Sequence, residues 1–230
     1  MMLANIEAVV FDLDGTLLDR RGSFERFVRG QWERHSDVLQ PVCQAEYVQA
    51  AIDLDRDGYA PRKELFAGML ERFDLPSELG ETLLRDCRAG FPSACSLFPD
   101  AAQTLSSLRS RGFKLGLITN GSVRMQSGKL KCLALEPAFD TVLISDAEGV
   151  SKPDPEIFRR ALQRLDTLAE RAVFVGDHPE VDVSGARGAG MKSIWRRDPT
   201  LSGTVDADAI IEELGDLLHV LGLECHAEDT

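Results

Sequence analysis

No stretch of this 230-residue chain stays apolar for the length of a membrane span. The first residues also have no basic segment leading into an apolar signal core, so the expected location is the cytoplasm and no membrane partner is expected. Cysteine is sparse and poorly spaced. Cys43, Cys87, Cys95, Cys132 and Cys225 are odd in number and contain no C-x-x-C pair, which excludes a disulfide framework and a zinc site. They are expected as reduced, buried or half-buried thiols. Positive charge is in deficit, with 26 Lys and Arg against 38 Asp and Glu and a formal net charge of −12. Nucleic acid is therefore not an expected partner, because it demands clustered Lys and Arg for its phosphates. A small phosphorylated molecule stays open, since exposed charges are screened beyond about 8 Å and local groups decide. Repeats and low-complexity segments are missing as well. What remains is an ordinary globular composition, 43% hydrophobic and 28% charged, long enough to bury a sizeable core.

Apolar, β-prone runs recur at Ile6 to Phe11, Phe113 to Ile118, Thr141 to Ile144, Arg171 to Val175 and Met191 to Trp195. Helical patterns with starting signals lie between the later runs. Phe98-Pro99-Asp100 opens Ala101 to Leu108, and Asp154-Pro155-Glu156 opens Ile157 to Leu165 with a capping aspartate and a first-turn proline. Strands alternating with helices at this spacing predict a parallel sheet covered on both faces. One region breaks the alternation. Between about Arg20 and Gly90 no buried strand is visible, and Phe24 to Glu33, Gln44 to Ile52, Arg62 to Phe73 and Ser77 to Ala89 read as amphipathic helices. Pro41, Gly58-Tyr59-Ala60-Pro61, Pro76 and Phe91-Pro92 punctuate their joins.

Val9-Val10-Phe11-Asp12-Leu13-Asp14-Gly15-Thr16-Leu17 is the most telling stretch. An apolar run ends in two aspartates two apart, so in a strand Asp12 and Asp14 would share a direction. Neighbouring carboxylates do not both ionise cheaply without a cation between them or a retained proton. That suits a Mg²⁺ site in which one carboxylate attacks and the other moves a proton. Two further apolar runs also end in polar residues beside glycine: Thr119-Asn120-Gly121 and Gly176-Asp177. Open parallel sheets bind ligands beyond the carboxyl ends of their strands, so the three ends should converge. Thr119 offers a hydroxyl to a phosphoryl oxygen, and the peptides at Asn120 and Gly121 lead into a helix start that favours anions. Lys152 sits in a loop held by Pro153 and Pro155, where a restrained ammonium can neutralise a phosphoryl group. Asp177 is placed to ligate a metal. Asp182 either supports that metal through water or holds Lys152. His178 reads as a loop residue and Glu180 as solvent-facing.

In order, Asp12-Leu13-Asp14-Gly15-Thr16, Thr119, Lys152, and Gly176-Asp177 with Asp182 match the four signatures of the haloacid dehalogenase superfamily, most of whose members are phosphatases. The chain resembles the phosphatase branch with a small helical cap. The resemblance implies an α/β fold: a Rossmann-like parallel sheet core with helices on both faces (residues 1–19 and 92–230) and an inserted all-helical cap (residues 20–91). It implies a Mg²⁺-dependent hydrolysis of a small phosphorylated metabolite by a monomer or homodimer. Asp12 would become an aspartyl-phosphate, with Asp14 as acid and then base. Mg²⁺ would be held by Asp12, Asp177 and the Asp14 backbone carbonyl, and the phosphoryl group by Thr119, Asn120 and Lys152. Three rivals follow from the same fold: a 2-haloacid dehalogenase, which lacks the second aspartate and needs no metal, a phosphomutase, and a binding module without activity.

Asp53-Leu54-Asp55-Arg56-Asp57-Gly58, followed by Glu64, also fits a calcium-loop pattern between two helices. Ala60 and Pro61 depart from that pattern, and a turn between cap helices is the expectation instead. Gly58 and Tyr59 then form the turn at the active-site mouth, and Arg56, Tyr59, Arg62 or Lys63 meet the substrate. Asp53, Asp55 and Asp57 should cap helices or face solvent.

Overall fold

Ala8-Val9-Val10-Phe11 is apolar at every position, and strand β1 (Ala8–Phe11) is buried at every position, as a strand covered on both faces must be. In the computed structural model, which describes residues 3–198 and 205–223, five more strands join it: β2 (Lys114–Thr119), β3 (Thr141–Ile144), β4 (Ala172–Gly176), β5 (Lys192–Arg196) and β6 (Ala209–Ile211). All neighbours pair in parallel, in the order β3-β2-β1-β4-β5-β6. The chain builds outward from β1 to β3, then crosses back to β4 on the other side of β1. The switch in direction therefore falls between β1 and β4, the place where open parallel sheets bind ligands at the strands' carboxyl ends.

Two compact units make up the chain. One holds residues up to Leu18 and from Leu97 onward; the other is Asp19–Ser96. In the first, the sheet is accompanied by α6 (Ala101–Ser110), α7 (Val123–Cys132), α8 (Ser145–Glu148), α9 (Pro155–Arg164), α10 (Gly185–Gly188) and α11 (Asp216–Val220), the five helices that precede them in the chain belonging to the second unit. Ile157, Phe158, Ala161 and Leu162 of α9 pack with Val10, Ile118 and Phe174 of the sheet, the Phe158 and Phe174 rings meeting edge to face at 5.1 Å. Asp154 caps α9 by accepting from the Glu156 N–H at 2.9 Å, with Pro155 in the first turn.

The second unit is helical: α1 (Arg20–Arg34), α2 (Ser36–Leu39), α3 (Gln44–Asp55), α4 (Arg62–Arg72) and α5 (Leu79–Ala94). The last helix runs through Pro92, where the sequence predicts a join. Packing decides: Phe91 stacks edge to face on Phe24 and Phe27 of α1 at 5.7 and 5.8 Å, which outweighs one missing backbone donor in the last turn. The α3–α4 turn also departs from expectation. Asp55 neither caps a helix nor faces solvent; it is 2% exposed and accepts from Arg20 at 2.5 and 3.0 Å and from Arg62. Arg62 is thus committed within its own unit. Asp53 and Asp55 both lie in α3, and residues two apart on a helix face apart, so these two carboxylates do not converge.

Among the described residues no helix is long and apolar enough to cross a membrane. The cysteines Cys43, Cys87, Cys95 and Cys132 are free thiols. Cys87 is buried and Cys95 half-buried, but Cys43 and Cys132 are exposed, one just before α3 and the other closing α7, where neither faces a core. Cys225 lies outside the described residues.

Candidate active site

Asp12 leaves β1 with its N–H still bonded to the Val175 carbonyl at 2.9 Å, so the first signature is anchored to β4 across the switch point. The residue is 5% exposed, and its carboxylate accepts from the Lys152 ammonium at 2.5 Å. Lys152 also donates to Asp182 at 2.7 Å and is itself 4% exposed. The Asn120 side chain holds this lysine from behind: its amide donates to the Lys152 carbonyl at 2.9 Å and its oxygen accepts from the Lys152 N–H at 3.0 Å. The second oxygen of Asp182 accepts from the His178 N–H at 3.0 Å. His178 in turn caps the turn that follows, with Nδ1 accepting from the Glu180 and Val181 amides at 3.2 and 3.1 Å. Glu180 is exposed.

Asp177 follows β4 directly. Ligand oxygens of Asp12, Asp177 and Asp182 lie within 4.8 Å of one another. Three ionised carboxylates against one ammonium would leave two negative charges uncompensated in a largely buried cluster. Burial first, then the neighbouring carboxylates against the pull of Lys152, pushes Asp12 up to about 7. The same desolvation and the charges of Asp12 and Asp182 hold Asp177 well above the ordinary carboxylate range. Burial opposes the charge of Lys152, but Asp12 and Asp182 together keep it protonated above its usual value. An all-oxygen, doubly negative cluster fits a hard divalent cation such as Mg²⁺.

The titration has a stability consequence. A carboxylate whose folded value is raised stabilises the fold below its unfolded value of 3.8, and that contribution is lost as pH rises through about 7. The melting temperature in chelator should accordingly fall between pH 4 and 7, with each kcal/mol worth about 2–4 °C. Asp12→Asn should flatten the fall, measured by thermal scans across pH. An unchanged slope in that variant would show that Asp12 is not the group responsible.

Gly15 is fixed by both conformation and space. Its φ is +86°, and a Cβ there would lie 2.3 Å from an Asp177 oxygen. Gly15→Ala should cost about 1–3 kcal/mol of stability from backbone strain alone and depress activity further by displacing Asp177, which denaturant melts and steady-state kinetics would record.

Asp14 departs from the strand-based expectation. β1 ends at Phe11, so the alternation of strand side chains no longer governs residues 12 to 14, and the two carboxylates take different ammonium partners. Asp14 turns to Lys129, whose ammonium lies 2.6 and 2.7 Å from its two oxygens, and to the Gln126 amide at 2.8 Å. Gln126 also donates to the Thr119 hydroxyl oxygen, which closes a link from Asp14 to the end of β2. The amides after Thr119 are less available to an anion than the sequence suggests. Gly121 donates to Ser145 Oγ and Val123 to Asp146, each at 3.0 Å, because β3 delivers these acceptors beside the start of α7.

Sequence reasoning missed four side chains. Gln126 and Lys129 are two of the three buried residues of α7, beside Leu130. Polar residues on an inward helical face are the signal that pointed to them. Trp195 and Arg196, at the end of β5, brace the turns that carry Asp177 and Gly15 from the side. The indole donates to the Asp177 carbonyl at 2.8 Å and the guanidinium to the Gly15 carbonyl at 2.9 Å, with Arg196 stacked 3.6 Å over Phe98.

Residues 6–190 match the family model described as haloacid dehalogenase-like hydrolase. The chain belongs to that family. It is 31% identical over 230 residues to the glyceraldehyde 3-phosphate phosphatase of Pyrococcus furiosus, covering 96% of this chain and 95% of that one. Among solved structures, a phosphatase of the same family from Thermococcus onnurineus superposes with a TM-score of 0.68 at 31% identity, covering 95% and 99% of the two chains. A 2-haloacid dehalogenase from Pseudomonas syringae superposes with a TM-score of 0.62, also at 31% identity, over 94% and 98%. Both activities thus occur among proteins similar to this hydrolase-family member, and the site chemistry has to separate them.

Proposed function

We propose that this protein is a Mg²⁺-dependent phosphatase that releases orthophosphate from a small phosphomonoester through an aspartyl-phosphate on Asp12. The observation that carries the reading is the doubly negative cluster around Asp12, with a second, differently paired aspartate two residues on. A dehalogenase nucleophile needs neither. Asp12, Asp177 and the backbone carbonyl of Asp14 would hold Mg²⁺, with Asp182 in support, and the ion supplies compensating charge between an anionic nucleophile and an anionic substrate.

An Asp12 oxygen attacks phosphorus, the bond to the leaving oxygen breaks, and Asp14 delivers a proton to that oxygen. Asp14 then takes a proton from the water that attacks the phosphorus of the aspartyl-phosphate, which frees orthophosphate and restores Asp12. Lys152, Thr119 and the Asn120 peptide hold the phosphoryl oxygens as charge redistributes. We assign the choice of substrate to the helical insertion of residues 20–91, with Arg56, Tyr59 and Lys63 as the residues meeting it. All three are exposed in the α3–α4 turn, Tyr59 by 64%. Since the Pyrococcus furiosus relative is by name a glyceraldehyde 3-phosphate phosphatase, a short phosphorylated carbon chain is the first substrate to assay.

Purified protein should hydrolyse an aryl phosphate and glyceraldehyde 3-phosphate with added Mg²⁺ and stop with chelator. Turnover indifferent to metal, or halide release from a 2-haloacid in its place, would overturn the reading. Arg56→Ala and Lys63→Ala should raise KM for a physiological phosphomonoester more than for the aryl phosphate; equal effects on both would remove these residues from recognition.

A further inference from the structure

The geometry points to Lys129 and Gln126 as the positioning residues of proton transfer, a role that rests on the assignment of Asp14 as acid and base. The Lys129 side chain is 5% exposed, and an ammonium buried so deeply is retained only against a partner. That partner is Asp14, both of whose oxygens it engages, at 2.6 and 2.7 Å. Gln126, one turn earlier on α7, adds a third contact to the same carboxylate at 2.8 Å. An aspartate that meets a leaving oxygen in one step and a water in the next has to be held in a narrow range of positions, and a misplacement of about 1 Å can cost on the order of 10²-fold. Three contacts from one helix supply that hold.

Gln126 does a second thing. Its amide nitrogen has two hydrogens, and the other goes to the Thr119 hydroxyl oxygen. With that oxygen accepting, the hydroxyl's own hydrogen is left to donate to a phosphoryl oxygen. One side chain on α7 therefore sets both the carboxylate that moves the proton and the hydroxyl that holds the phosphoryl group. The nucleophile Asp12 is held by a different ammonium, that of Lys152. Loss of Lys129 should consequently weaken proton transfer and spare nucleophilic attack.

Leaving groups separate these two effects. An alkyl phosphate needs its leaving oxygen protonated, whereas dinitrophenyl phosphate expels a stable anion. The rate of Asp12 phosphorylation would be measured by rapid quench with both substrates, Mg²⁺ present. Lys129→Met should slow the alkyl phosphate on the order of 10²-fold and leave dinitrophenyl phosphate within a few-fold of wild type. That second rate also reports that the variant is folded. Lys129→Arg should restore most of the loss. Gln126→Leu, which keeps the Lys129–Asp14 pair, should show a weaker form of the same selectivity with a raised KM from the loosened Thr119. It carries the test if Lys129→Met does not fold. Equal slowing of both substrates in Lys129→Met and in Gln126→Leu would reduce the pair to a structural role and overturn the proposal. Asp14→Asn is the reference. If it shows no leaving-group selectivity, the assignment of Asp14 fails and takes this one with it. If Asp14→Asn is selective and the α7 variants are not, only the positioning proposal fails.

Discussion

Asp12→Asn should lose on the order of 10⁴-fold or more in kcat, without losing stability. An amide oxygen is a poor nucleophile toward phosphorus, so the covalent route closes. The folded state gains from the same change. Asp12 is a buried carboxylate raised to about 7 by desolvation and by Asp182, and a neutral side chain of equal size relieves that repulsion above neutral pH. Lys152 keeps Asp182 as its partner at 2.7 Å, so no ammonium is stranded. Kinetics and a thermal melt at pH 8 in chelator test both halves. A dead variant that also melts far below wild type would mean that Asp12 acts mainly as scaffold, and near-normal turnover would end the covalent reading.

Lys152→Met should damage both quantities. Side-chain exposures of 2% for Lys152 and 8% and 2% for Asp12 and Asp182 put this ion triad among the buried ones, where removing one partner typically costs about 3–5 kcal/mol. Three clustered carboxylates would then face one another with no ammonium between them. Lowering the pH should recover stability, because protonating Asp12 or Asp177 removes the repulsion, yet activity should not return with it. Arginine is not expected to substitute: its planar fork does not fit a site built around one compact ammonium bridging two carboxylates. The measurement is denaturant unfolding at pH 5 and pH 8 beside kcat. A variant equally stable at both values would contradict the charge balance drawn for this pocket.

Much of this site was legible because strands carry it. The five apolar runs became β1 to β5 with no end shifted by more than two residues, and each polar strand end stands where a parallel sheet presents it. β6 was not legible: Ala209–Ile211 is three residues long behind Asp206 and Asp208, too short for a period to show. Pro92 was misleading because a local breaker lost to the aromatic cluster around Phe91, which brings together residues far apart in sequence. The partners of Asp14 were hidden for a related reason. The sequence spaces Asp14 and Lys129 by 115 positions, and only the sheet order brings α7 beside the first signature. Lys152 was legible as a restrained lysine in a proline-bounded loop, but its burial and its bond to Asp182 accompany the reciprocal clamp with Asn120, which is set by tertiary packing. Asp55 in the helical unit teaches the same lesson: its motif context suggested a ligand or a cap, and two arginines take it instead.

The covalent intermediate can be trapped directly. Asp14→Asn protein, turning over dinitrophenyl phosphate with Mg²⁺ and quenched in acid, should carry one phosphoryl group per chain, because an activated substrate still phosphorylates Asp12 while the hydrolysis that needs Asp14 as base lags. Mass spectrometry of the digest should place that group on the peptide containing Asp12, and Asp12→Asn protein treated in the same way should carry none. An unmodified protein at every quench time during active turnover, or a phosphoryl group on any residue other than Asp12, would contradict the account.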